Sequence, residues 1–173
     1  MLQLVRRGQP GLATATDAGR EEVTVHLSFA LRLPVEARSV PVVRALCRDN
    51  LVALRVDRAS VDDIALAVTE ACANVINHAE GGEDYEVRVD VDDAWCRISI
   101  VDTGAGFDPA ATRATGTGSL LEHGRGIELM RTLVDRLHFA PAEGAGTLVR
   151  LEKRLALHED SPLRALPVPR GAD

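Results

Sequence analysis

Between Tyr85 and Ile100 the apolar residues take every second position twice over, Tyr85, Val87, Val89 and Val91 and then Cys96, Ile98 and Ile100, with Asp92 and Asp93 between the runs. Period-two patterning around turn residues reads as a β-hairpin with one wet face and one dry one. The dry face has to be covered by other amphipathic elements.

The rest of the chain supplies them. Ser39 can cap a helix that carries Pro41 in its first turn and places Val43, Leu46, Cys47, Leu51 and Leu54 along one side. Ser60 with Asp63 three residues on reads as a capping box, and Ile64, Val68, Ala71 and Val75 then form a helical stripe to about Ala79, ended by Gly81 and Gly82. Ile127, Met130, Val134 and Leu137 mark a third helix. Alternation at Val23, Val25, Leu27, Phe29 and Leu31 predicts an opening strand, and Phe139 with Thr147, Val149 and Leu151 predicts two closing ones. Strands with one apolar face plus three amphipathic helices make an α/β two-layer sandwich.

A chain of 173 residues, 46% hydrophobic, has enough material for one core. The expected organisation is a flexible N-terminal extension over 1–20, one domain over 21–156 and a flexible tail over 157–173, where three prolines and no periodicity appear from Ser161 onward. A net charge of -6 leaves no broad basic footprint, so contact with a nucleic-acid backbone or an anionic membrane lacks its usual driving force. Cys47, Cys72 and Cys96 are odd in number and scattered, which suits reduced core thiols rather than disulfides or a metal site. No run is apolar and long enough for a signal peptide or a bilayer span, and the expected location is cytoplasmic.

Glu70, Asn74 and His78 are spaced by four and project from one side of the second helix, beside its core stripe. Taken alone, Glu70 reads as part of a solvated face and His78 as a cation favoured by the helix C-terminus. Asn74 and Asn77 are poor mid-helix residues, which suggests a use for them. Asp102, Gly104 and Gly106 leave a strand end: an acid there can accept from an exocyclic amine and the glycines admit a ligand, although a tight strand-exit turn reads equally well. Residues 103–126 are rich in Gly, Thr, Ala and Ser without a period, a long loop of the functional kind. Gly124, Arg125 and Gly126 at the mouth of the third helix offer a phosphate cradle or, more blandly, a loop-to-helix junction. Gly146 and Thr147 open the last strand, where a hydroxyl could reach a ligand.

Taken in order, Glu70-x-x-x-Asn74-x-x-x-His78, Asp102-x-Gly104-x-Gly106, Gly124-Arg125-Gly126 and Gly146-Thr147 resemble the boxes of the GHKL ATPases, the superfamily of gyrase and the histidine kinases. The match covers about Val23 to Lys153. The wording TEACANVINHA and GRGIELMRTLVD is similar to the anti-sigma factor/serine-protein kinase branch. That resemblance implies the Bergerat (HATPase) fold, a mixed and mostly antiparallel sheet covered on one face by about three helices. It implies ATP and Mg²⁺ as cofactors, with Asn74 on the metal, Glu70 orienting or deprotonating the attacking group and Asp102 receiving the adenine amine. Gly104 and Gly106 would let base and sugar approach. Residues 108–123 would be the lid, Gly124, Arg125, Gly126 and His78 would lie near the phosphates, Thr147 near the base, and Asn77 would also belong to the nucleotide-binding set. The activity implied is that of an ATP-dependent serine-protein kinase and anti-sigma factor, with a STAS-type anti-anti-sigma protein and an RNA polymerase sigma factor as partners and a homodimer as its assembly. The alternative is a regulator of the same fold that switches on nucleotide without kinase activity.

Overall fold

The computed structural model describes residues 25–78, 82–102, 120–142 and 146–164, with the side chains of 78 and 120–124 outside the described part. In chain order the elements are β1 (Leu27–Pro34), α1 (Ser39–Ala53), α2 (Arg58–His78), β2 (Asp84–Val91), β3 (Trp95–Asp102), α3 (Leu120–Leu133), β4 (Arg136–Pro141) and β5 (Thr147–Arg154). The strands form one sheet in the order β1-β2-β3-β5-β4. All four pairings are antiparallel, so the expected mixed sheet is, among the described residues, wholly antiparallel.

The hairpin forms as its alternation requires. Asp92 Oδ1 accepts from the backbone N–H of Ala94 and Trp95, which closes the turn and sets the register Val91↔Cys96 through Tyr85↔Asp102. Val87, Val89, Ile98, Ile100, Val149 and Leu151 turn to one side of the sheet and are buried there. Against them lie Val43, Cys47 and Leu51 of α1, Ile64, Val68 and Ala71 of α2, and Met130 of α3. This is the two-layer α/β sandwich that the patterning calls for.

Local signals at the helix starts resolve differently from the sequence reading. Ser39 opens α1, yet its hydroxyl donates to the Glu36 carbonyl and shares a hydrogen bond of 2.7 Å with Tyr85 Oη, tying the helix start to β2 instead of capping it. Asp57, not Ser60, caps α2: its Oδ2 accepts from the Ala59 N–H at 2.9 Å. Asp63 is thereby released from a capping role and pairs with Lys153 of β5 at 2.8 Å.

Residues from 157 onward, expected to be a flexible tail, are packed as far as Arg164. Val56 and Leu157 form a β-bridge, the Asp57 N–H donates to the Ala156 carbonyl and the His158 N–H donates to the Arg55 carbonyl. Ser161 Oγ donates to the Leu54 carbonyl at 2.6 Å, and Leu163 is fully buried. This strap holds the turn between α1 and α2, where Arg55 has a φ of 57°, a left-handed conformation that is costly for a side chain with a Cβ. Single anchors on an irregular backbone have no period, which is why the sequence does not announce them.

Candidate functional site

Lys153 Nζ donates both to Asp63 Oδ2 and to the Leu133 carbonyl, each at 2.8 Å, so one ammonium of β5 joins the first turns of α2 to the last residue of α3. Further along, Gly126 of α3 meets Glu70 and Asn74 of α2: a Cβ at Gly126 would stand 3.1 Å from Glu70 Oε2 and 3.7 Å from Asn74 Oδ1. The two helices are therefore antiparallel, with contact points seven residues apart on each (63 to 70 and 126 to 133). At that rise the clamp and the polar pair are separated by about 10 Å.

Glu70 and Asn74 are both half-buried, one turn apart, beside the fully buried Ala71, Cys72 and Val75. Their position follows from the stripe: the apolar residues of α2 go to the sheet, and the polar row is left facing α3. With no side chain at Gly126, carboxylate and carboxamide stay next to α3 backbone with nothing interposed. Asn77 is exposed, and His78 ends α2 with its side chain outside the described part.

A second group forms at the end of β3. Asp102 is 6% exposed, and Gly146 presses against it so closely that a Cβ there would fall 2.0 Å from the Asp102 carbonyl oxygen and 2.9 Å from Oδ1. Gly146 holds a φ of 101°, available to glycine and strained for any other residue. Val101 faces Leu148 across the ladder, so the next position brings Thr147, 3% exposed, opposite Asp102. The acid and the hydroxyl expected near a ligand base are thus neighbours.

The glycine pair Gly104 and Gly106, together with residues 108–119 of the expected lid, lies outside the described residues. Gly124, Arg125 and Gly126 do not precede α3, because the helix already begins at Leu120 and encloses all three. Arg125 is exposed on it, while Gly126 is buried. The signal that could have found this start is Ser119-Leu120-Leu121-Glu122, a serine with a glutamate three residues later ahead of good helix formers. The Lys153–Asp63 clamp was also missed, since the capping-box pattern gave Asp63 another task.

The donor set suits a nucleotide carried with a hard cation. Among the described residues no three His, Cys, Asp or Glu side chains are grouped to hold a metal by themselves. Mg²⁺ commonly takes one or two protein oxygens and completes its shell with phosphates and water, a demand that Asn74 Oδ1 beside the Glu70 carboxylate can meet. The thiols take no part: all three cysteines are free and buried, and burial pushes Cys47 and Cys72 up to about 12, which leaves them protonated and unreactive at neutral pH.

Residues 33–153 match the histidine kinase-like ATPase domain. The chain belongs to this family. Among its curated relatives, serine-protein kinase RsbW of Halalkalibacterium halodurans is 31% identical over 153 residues, covering 78% of this chain and 89% of its own. Serine-protein kinase RsbW of Bacillus pumilus is 28% identical, with 66% and 78% covered. Anti-sigma F factor of Clostridium acetobutylicum is 27% identical, with 58% and 74% covered. A crystal structure of the RsbU and RsbW domains of a Mycobacterium tuberculosis protein superposes with a TM-score of 0.56 at 21% identity, over 74% of this chain and 32% of that one. This chain thus spans about a third of that protein's chain, and the likeness speaks for the fold alone. Membership in the histidine kinase-like ATPase family implies an ATP-binding fold, and it agrees with the family read from the order of the sequence boxes. No helix among the described residues is long and apolar enough to cross a membrane.

Proposed function

We propose that this chain is an ATP-dependent serine-protein kinase and anti-sigma factor of the cytoplasm, which phosphorylates a STAS-type anti-anti-sigma partner and otherwise sequesters an RNA polymerase sigma factor. The observation that carries the reading is the pairing of Glu70 and Asn74, one turn apart on α2, against the bare α-carbon of Gly126. The names of the relatives, serine-protein kinase and anti-sigma factor, support the same assignment.

Phosphoryl transfer asks a protein mainly for positioning and charge neutralisation. Bound ATP with Mg²⁺ supplies the phosphoryl group and much of that neutralisation. Asn74 would hold the metal through Oδ1, and Asp102 with Thr147 would take the base. Arg125, Gly124 and Gly126 would lie along the phosphates with Asn77 and His78 nearby. Glu70 would accept the proton of the partner's serine hydroxyl as that oxygen bonds to phosphorus and ADP leaves. Its half-buried place beside Asn74 keeps the carboxylate close to the metal position without enclosing it.

The test is a Glu70→Gln variant assayed with labelled ATP and a STAS-domain substrate. Nucleotide binding should persist while transfer falls by about 10² to 10⁴-fold, the usual size of a general-base contribution. Unchanged transfer removes Glu70 from this role. Wild-type protein that binds ATP and transfers nothing to any STAS partner supports the alternative, a nucleotide-switched regulator.

A further inference from the structure

The sheet's second face carries a cationic surface built around the chain's single tryptophan. On β3, β5 and β4 the side chains that alternate with the buried core residues point away from the helices: Trp95, Arg97, Arg150, Arg154, Arg136 and His138. Register sets them in rows across the strands. Trp95 faces Arg154, Arg97 faces Glu152 which faces Arg136, and Ser99 faces Arg150 which faces His138. The Arg136 and Arg154 guanidinium carbons lie 4.8 Å and 5.1 Å from the centre of the Trp95 ring, so the indole holds two cationic forks in place.

Of the acids on this half of the face, Glu152 is set back beneath its arginine, while Asp92 and the exposed Asp135 lie at the border, Asp135 Oδ2 accepting from the Arg154 backbone N–H. Arg136 pairs with Glu152 at 3.1 Å, but the arginine side chain is 68% exposed and the glutamate 17%. Arg97 pairs with Asp92 at 2.6 Å, with exposures of 40% and 30%. Arg150 is exposed and has no ion-pair partner among the described residues. A chain with a net charge of -6 therefore concentrates four arginines on three adjacent strands, of which Arg136, Arg150 and Arg154 are exposed to solvent.

We infer that this face is a docking surface for an acidic segment of a partner protein. Guanidinium groups match carboxylates bidentately, and preorganised Arg and Trp are the residue types that most often dominate the binding energy of protein interfaces. Positions two apart on a strand are spaced like alternate residues of an extended segment, so glutamates or aspartates on one side of such a segment can meet the rows together. Two other occupants fit less well. A second copy of this chain would have to lay its own Glu86 and Asp90 across these rows under a two-fold axis, and both are already engaged within the chain, Glu86 by Arg88 and Asp90 by Ser28. A nucleic-acid backbone, with charge at every step, would meet Glu152 here and Glu86 and Asp90 further across the sheet.

Trp95 is the only tryptophan in the chain, so its emission reports on this face directly. The full chain is titrated with a twelve-residue peptide of alternating Glu and Ser, with a Lys-for-Glu counterpart, and with a single-stranded thymidine oligonucleotide of equal length. Expected is a saturable change in Trp95 emission with the acidic peptide alone, weakened about tenfold or more in Arg150→Glu and in Arg154→Glu and by raising salt from 50 to 500 mM. Both arginines are exposed, so the variants keep the fold, and circular dichroism verifies it. A response that persists undiminished in both variants, a stronger response to the oligonucleotide, or no saturable response at all overturns the assignment. Sedimentation of the free protein showing self-association that Arg150→Glu alters would give the face to a second copy instead.

Discussion

Gly126 on α3 stands so close to Glu70 on α2 that a single added methyl group would sit 3.1 Å from the Glu70 carboxylate oxygen. Gly126→Ala is therefore a probe of the site with little effect on the fold. Alanine in a helix interior is favoured over glycine by about 1 kcal/mol, and the group it crowds is the movable end of a glutamate. Thermal stability should be equal to wild type or slightly higher, while the phosphoryl transfer proposed for this chain should drop by about tenfold or more as the carboxylate is displaced. Wild-type transfer in a folded Gly126→Ala protein would falsify the claim that this approach sets the position of Glu70.

Gly146→Ala should behave in the opposite way. The φ of 101° is strained for alanine, and the new Cβ would lie 2.0 Å from the Asp102 carbonyl oxygen, a backbone atom that cannot swing aside. A loss of about 2–4 kcal/mol in urea unfolding is expected, from strain together with overpacking. If the unfolding free energy falls by less than a quarter of that, β5 is not held against Asp102 as described.

The strap tests a different part of the molecule. Leu163 is fully buried, and Ser161 bonds to Leu54 at the start of the α1–α2 turn. Leu163→Ala should cost about 2–5 kcal/mol, the range for large-to-small changes in a core. Ending the chain at Ala156 should cost at least as much, measured by denaturant titration. A truncated protein with unchanged stability would mean that the strap contributes nothing.

Alkaline pH should destabilise the protein through groups that the fold keeps protonated. Burial raises Cys47 and Cys72 from 9.0 to about 12 and Tyr85 from 10.0 to about 12, and pushes Cys96 up as well. In the unfolded chain these groups lose their protons above their ordinary values, whereas the folded chain still holds them, so the native state binds more protons and stability declines with rising pH. The effect is absent below about pH 8 and grows between about pH 9 and 12. Urea midpoints at pH 7.5 and 10 measure it, and a thiol reagent at pH 8 should label the cysteines only as the protein unfolds.

How much of this was legible depends on whether a feature repeats. The β2–β3 hairpin, the α2 stripe and the pairing of Glu70 with Asn74 on one helix side all follow from periods of two and of 3.6, because those periods are properties of the backbone itself. The order of the boxes carried the family, and residues 33–153 bear it out. Single residues whose role depends on a distant partner left no such mark: Asp63 looked like half of a capping box and proved to be the anchor for Lys153, 90 positions away. Gly124 to Gly126 looked like a junction and lie inside a helix.

The sequence by itself determined the β2–β3 hairpin and the helices α1 and α2 with the apolar side of each, since local sterics and burial of hydrocarbon act on neighbours along the chain; it did not bound α3, which begins at Leu120 and ends at Leu133, leaving Leu137, expected on that helix, to β4. Tertiary structure alone decided that α3 lies antiparallel on α2 with Gly126 over Glu70, that Gly146 closes on Asp102, and that residues 157–164 strap the α1–α2 turn. Each of these joins residues far apart in the chain, and their meeting is fixed by how whole elements pack rather than by any pattern within them.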